Sequence, residues 1–142
     1  MRVYLAGRMQ GRMGWEVLAE RARATEVCED LDLEVSDPAA TELIDPEKSV
    51  DANMNWMQMQ SFVTKDEFAI RNCHCLLILT GDTPSEGTGI EFGLALSIGI
   101  PVVLVSPMRA GGERMGFWNI KASATFSTVE EAAEYIANNF AY

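Results

Sequence analysis

The sequence predicts an α/β protein, a single-domain three-layer sandwich around a parallel five-stranded sheet in flavodoxin- or Rossmann-like order. Strand-like and helix-like segments alternate along the 142 residues, the pattern of a parallel sheet with helices on both faces. Residues 75–79 (CLLIL) and 101–105 (PVVLV) are continuous apolar runs, as expected of central strands covered on both sides.

The elements follow in order. Residues 2–6 form a first strand ended by Gly7, and residues 7–13 (GRMQGRM) form a glycine-bearing turn. Trp15 to about Asp30 reads as a helix with Leu18, Ala22, Ala24 and Val27 on its apolar face. A short second strand, 33–35, is closed by Ser36, Asp37 and Pro38. Residues 37–50 read as loop, because each of two Asp-Pro pairs discourages helix. Residues 51–72 are helical with a break. Their apolar residues Met54, Trp56, Met57, Met59, Phe62 and Val63 suit a core, a subunit interface or the wall of a pocket for a flat base. After the 75–79 strand come a loop (80–87), a helix (88–98), the 101–105 strand and a glycine-containing loop (106–118). A weak strand (122–126) and a helix (128–139) follow, the latter opened by Thr128 and Glu131 at capping-box spacing.

The length suits one domain over residues 1–142. The net charge of −10 argues against a nucleic-acid polymer as partner, since polymer binding relies on a basic surface. No apolar run is long enough to span a membrane, and the N-terminus lacks a secretory layout. A cytoplasmic protein that contacts no membrane is the expectation. Cys28, Cys73 and Cys75 fit no zinc spacing and read as buried thiols. His74 is the only histidine, which weighs against a histidine-dependent nucleophile.

Three side chains stand out as candidate chemistry. Glu91 lies in residues 85–95 (SEGTGIEFGLA), expected in the first turn of a helix whose glycines admit a ligand to the backbone. The bland alternative is an acid that merely complements the helix dipole. Asp66 would otherwise be a surface acid, and Tyr4 a core residue whose hydroxyl needs a partner. Together they supply two carboxylates and a phenol. Glycosidic cleavage uses one carboxylate as nucleophile and one as proton donor, and a phenol can orient either.

The sequence also resembles a known family. VYLAG at 3–7, DP at 37–38, Asp66 eight residues before His74, and GTGIEFGLALSIGIPVVLV at 87–105 look like the nucleoside 2-deoxyribosyltransferases and their 2′-deoxynucleoside 5′-phosphate N-hydrolase relatives. The resemblance implies Glu91 as nucleophile, Asp66 as the acid serving the leaving base, and Tyr4 as the orienting phenol. Substrate contacts are expected from Gly7, Arg8, Ser85, Gly87, Thr88, Gly89 and Asn119. Asn119, with the 106–118 loop, would reach a partner's pocket in a homo-oligomer, a dimer or larger. No metal or organic cofactor is implied.

Transferase members usually carry an aspartate six residues before the nucleophile, where this chain has Ser85; the hydrolases carry a serine there that helps bind the 5′-phosphate. Those hydrolases have a further serine after the first-turn glycine, where this chain has Arg8, with Arg12 nearby. These departures leave nucleoside and nucleotide substrates both open; the first expectation is a deoxyribosyltransferase acting on a small nucleoside. A 5′-monophosphate N-glycosidase is the alternative. A cytokinin-activating phosphoribohydrolase ranks third, because Pro84-Ser85-Glu86 lacks that group's glycine pair. A non-catalytic nucleotide sensor is the rival from another class.

Overall fold

The computed structural model describes residues 1–41, 44–51, 56–81, 85–106 and 121–140. Its elements are β1 (Arg2–Gly7), α1 (Gly14–Glu29), β2 (Glu34–Ser36), α2 (Pro38–Thr41), α3 (Trp56–Arg71), β3 (Cys75–Leu79), α4 (Glu86–Ser97), β4 (Val102–Val105), β5 (Ala124–Phe126) and α5 (Val129–Phe140). The five strands are all parallel, in the order β2-β1-β3-β4-β5. That is the flavodoxin-like doubly wound order, with its switch point between β1 and β3.

Alternation along the strands splits the core into two halves. Val3, Leu5, Cys75, Leu77 and Val103 pack under α1 and α5, against Ala24, Cys28, Ala132, Ala133 and Ile136. Tyr4, Ala6, Leu76, Ile78 and Leu104 face α3 and α4, against Ile70, Phe92 and Ala95. Each fully buried Val, Leu or Ile is worth about 1.5–3 kcal/mol, so β3, buried along its whole length, anchors both halves.

Several boundaries differ from the sequence expectation, each for a local reason. The buried face of α1 is Gly14, Val17, Arg21, Ala24 and Cys28. The expected stripe is rotated, leaving Ala22 exposed, because a charged residue occupies the centre of the true stripe. Pro38 opens the short helix α2 within the expected loop. Proline suits a first helical position, and the Ala39 N–H donates to Asp37 Oδ1 at 3.0 Å just ahead of it. Helix α4 begins at Glu86 rather than 88 because Ser85 caps it. At α5 the Glu131 N–H donates to Thr128 Oγ1 at 3.3 Å, as the capping spacing predicts. Met54 lies outside the described residues, as do the side chains of Trp56, Met57, Met59 and Phe62. No helix among the described residues is long and apolar enough to cross a membrane.

All three thiols are buried, with Cys28 pushed up to about 11 and Cys75 to about 12 by loss of solvent. His74 between the last two is exposed, and its Nδ1 accepts the Arg2 N–H at 2.9 Å. It therefore closes the start of β1 against β3.

Candidate active site

Tyr4 is the third residue of β1, paired in register with Leu76 of β3 and Ser36 of β2. Its side chain is fully buried on the α3–α4 face. The hydroxyl makes no hydrogen bond of standard geometry among the described residues. Burial pushes the phenol well above its ordinary value, and the Glu91 and Asp66 carboxylates push it further; Arg21 works the other way.

Asp66 and Glu91 come to Tyr4 from two different helices. Asp66 on α3 and Glu91 on α4 line one cavity of about 200 Å³, with Val63, Ile70, Gly87, Ile90 and Leu94. Asp66 also lines a second cavity of about 470 Å³, with Tyr4, Ser36, Asp37, Lys65 and Phe68 among its walls. Asp66 thus lines both spaces, and the Asp66 and Glu91 carboxylates both act on the Tyr4 phenol. The trio lies where α3 and α4 pack over β1.

Burial raises the Asp66 carboxyl above its ordinary value, against the opposing pull of the Tyr4 hydroxyl, Arg21 and Lys65. A carboxyl that keeps its proton to higher pH is suited to deliver it. Glu91 sits in the second turn of α4, not the first as expected, because the helix starts at Glu86. The dipole effect fades beyond the first turn, so the bland explanation for an acid at 91 weakens.

The other sequence candidates divide. Gly87 lines the Glu91 cavity. Ser85 is occupied as the α4 cap: its Oγ accepts the Thr88 N–H at 3.2 Å, and the two hydroxyls share a 2.9 Å hydrogen bond. Thr88 is buried there, and the Gly89 N–H donates to the Ser85 carbonyl at 3.0 Å. Gly7 ends β1, where a Cβ would come within 2.8 Å of the Leu79 carbonyl oxygen. Arg8 donates through Nε to the Gln10 carbonyl at 2.9 Å. Gly7, Arg8, Ser85, Thr88 and Gly89 line neither cavity. Asn119 lies outside the described residues.

Sequence reasoning missed Arg21. It is 2 % exposed and donates to Asp37 Oδ1 at 2.7 Å and to the Leu5 and Gly7 carbonyls at 3.0 and 2.9 Å. The available signal was a cation at helical spacing from Val17, Ala24 and Cys28, facing a later Asp-Pro.

Comparisons with known proteins agree with this architecture. The family model for nucleoside 2-deoxyribosyltransferase matches residues 3–119. No curated protein sequence matches. Among solved structures, the chain is similar to a 2-deoxyribosyltransferase from Bacillus psychrosaccharolyticus, with TM-score 0.72, 24% identity and coverage of 95% of this chain and 92% of that one. It is similar to a conserved protein of Enterococcus faecalis, with TM-score 0.75, 17% identity and coverage of 99% of each chain. A CMP N-glycosidase from Clostridium botulinum follows with TM-score 0.57, 17% identity and coverage of 96% and 97%. These likenesses establish the shared fold. The family-model match takes in β1 with Tyr4, α3 with Asp66 and α4 with Glu91, and on it the chain belongs to the nucleoside 2-deoxyribosyltransferase family.

Proposed function

We infer that the protein cleaves the N-glycosidic bond of a 2′-deoxynucleoside and transfers the deoxyribosyl group to a second base. The observation that carries this reading is the position of Asp66, which lines both the cavity that holds Glu91 and the cavity that holds Tyr4. A sugar beside Glu91 and a base beside Asp66 then meet both groups needed for the chemistry.

In the first step a Glu91 carboxylate oxygen bonds to C1′ as the C1′–N bond breaks. The electron pair goes to the base nitrogen, which takes the proton held by Asp66. With a sugar in place, the buried Tyr4 hydroxyl turns its proton to the Glu91 carboxylate and fixes the attacking oxygen. In the second step an incoming base attacks C1′, the Glu91 ester bond breaks, and the incoming base's proton returns to Asp66. Two displacements at one carbon retain its configuration.

A nucleoside rather than a nucleotide is supported by the charges near the first turn and α4. Arg12 is engaged by Glu20 at 2.9 Å and Glu16 at 3.8 Å. Ser85 is engaged in its cap, and Glu86 puts negative charge in the first turn of α4. One observation favours a 5′-monophosphate: the terminal guanidinium nitrogens of Arg8 have no hydrogen-bond partner among the described residues. Arginine forks suit phosphate.

The test is incubation with a panel of deoxynucleosides and their 5′-monophosphates, with and without an acceptor base. Base exchange on deoxynucleosides supports the transferase. Free base and sugar phosphate from monophosphates alone, with loss of that activity in Arg8→Ala, would replace it by the N-glycosidase. No base release from any of them would remove both.

A further inference from the structure

Strand β1 is longer than its neighbour β2. Pairing between them covers only Arg2–Tyr4 against Glu34–Ser36. The carbonyls of odd-numbered β1 residues point to the β2 side, as Met1 shows by accepting the Glu34 N–H at 2.8 Å; Arg2 points the other way and accepts the His74 N–H at 2.9 Å. Past Ser36, the Leu5 and Gly7 carbonyls therefore face a ladder that has stopped. Unpaired buried carbonyls are costly. The Arg21 guanidinium fills the gap, donating to both of them and to Asp37, the residue that follows β2. Asp37 in turn accepts the Ala39 N–H, and it shares the larger cavity with Tyr4 and Asp66. Arg21 is the one buried cation among the described residues.

We propose that Arg21 is a positioning residue for the reaction: it replaces the missing end of β2, holds Asp37 in the cavity wall, and supplies the positive charge against which Asp66 exchanges its proton. This rests on the deoxyribosyl-transfer reading for its catalytic part. Its electrostatic part stands on the buried Arg21–Asp37 pair and on the cavity wall that Asp37 shares with Asp66. Both Asp66 and Tyr4 feel the guanidinium as a favourable charge. The other groups around Asp66 are Tyr4 on β1, Glu91 on α4, Asp37 after β2, and Lys65 and Glu67 on α3 itself. Lys65 is exposed, so solvent screens it more than it screens Arg21.

Three variants separate charge from strut. Arg21→Gln removes the cation and keeps a donor, so Asp66 binds its proton more tightly and titrates at higher pH. Asp37→Asn leaves the cation uncompensated, so Asp66 titrates at lower pH. Arg21→Lys keeps the charge but loses the fork. It leaves the Asp66 titration near that of the parent and lowers kcat about 10–100-fold through misplacement, with KM less affected. The measurements are a carbon-13 NMR titration of the Asp66 carboxyl, the pH profile of kcat, and a thermal melt to establish that each variant is folded.

Opposite shifts in Arg21→Gln and Asp37→Asn are the expected result. Folded variants whose Asp66 titration stays with the parent would overturn the proposal, whatever their activity, and leave Arg21 a structural strut only. If Arg21→Gln does not fold, the downward shift in Asp37→Asn decides. If the parent releases no base from any deoxynucleoside, the functional reading fails, while the NMR titration still judges the electrostatic claim.

Discussion

Arg21 and Asp37 meet at 2.7 Å with side chains only 3% and 10% exposed, between the middle of α1 and the residue after β2. Breaking a buried pair from one side leaves an uncompensated charge and typically costs about 3–5 kcal/mol. Arg21→Ala also abandons two β1 carbonyls. We expect it to lower the unfolding free energy, measured by urea denaturation, by an amount in that range. Arg2→Ala, which breaks an exposed pair with Glu34 (side chains 42% and 62% exposed), should stay within about 1 kcal/mol. Equal effects would mean that burial does not govern the Arg21 pair.

Tyr4→Phe separates stability from function. The hydroxyl is buried without a hydrogen bond of good geometry, so removing it should leave the melting temperature unchanged or raised. The ring keeps its packing against the α3–α4 core. Turnover should fall about 100–1000-fold, the scale of losing one oriented hydrogen-bond donor. A large loss of stability with full activity would reverse this assignment.

Asp66 has a defined pH signature. Its folded carboxyl is raised above the ordinary 3.8, mainly by burial. A raised group contributes stability that is fully present below the unfolded value and lost as pH rises through the folded one. Asp66→Asn escapes that loss. The variant should be more stable than the parent at neutral pH, with the difference shrinking as pH falls toward 3.8, while base release drops sharply. Melting curves across that range check the sign.

Gly7→Ala tests the close approach of β1 and β3. Gly7 pairs in register with Leu79, and a Cβ there would sit 2.8 Å from the Leu79 carbonyl oxygen and 3.2 Å from its Cβ. Backbone must move to admit it, at a cost of about 1–3 kcal/mol. Gly93→Ala, where nothing lies within 4 Å of the added carbon, is the control; in mid-helix it should be neutral or stabilising.

Elements with an unambiguous local pattern were legible before any coordinates. The 75–79 strand was read to the residue because an unbroken apolar run has one outcome between two helices. The three candidate residues were singled out by type, and the family match agrees with motifs already visible. What escaped depended on tertiary partners. Arg21 reads as a surface cation until β2 is seen to stop short of β1. The early start of α4 was hidden by Gly87 and Gly89, which weaken a helix signal although Ser85 caps it. Nor does a linear reading reveal that Asp66 lines two cavities, because their walls come from β1, the turn after β2, α3 and α4.

The central claim is that Glu91 carries the sugar between two bases. Its most direct test is intact-protein mass spectrometry after acid quench of the parent chain with a deoxynucleoside and no acceptor base, followed by peptide mapping. The account predicts one deoxyribosyl increment on the peptide containing Glu91, absent in Glu91→Ala, whose turnover falls by orders of magnitude while it still binds the nucleoside. Undiminished turnover in folded Glu91→Ala, or a sugar adduct on another residue, would contradict it.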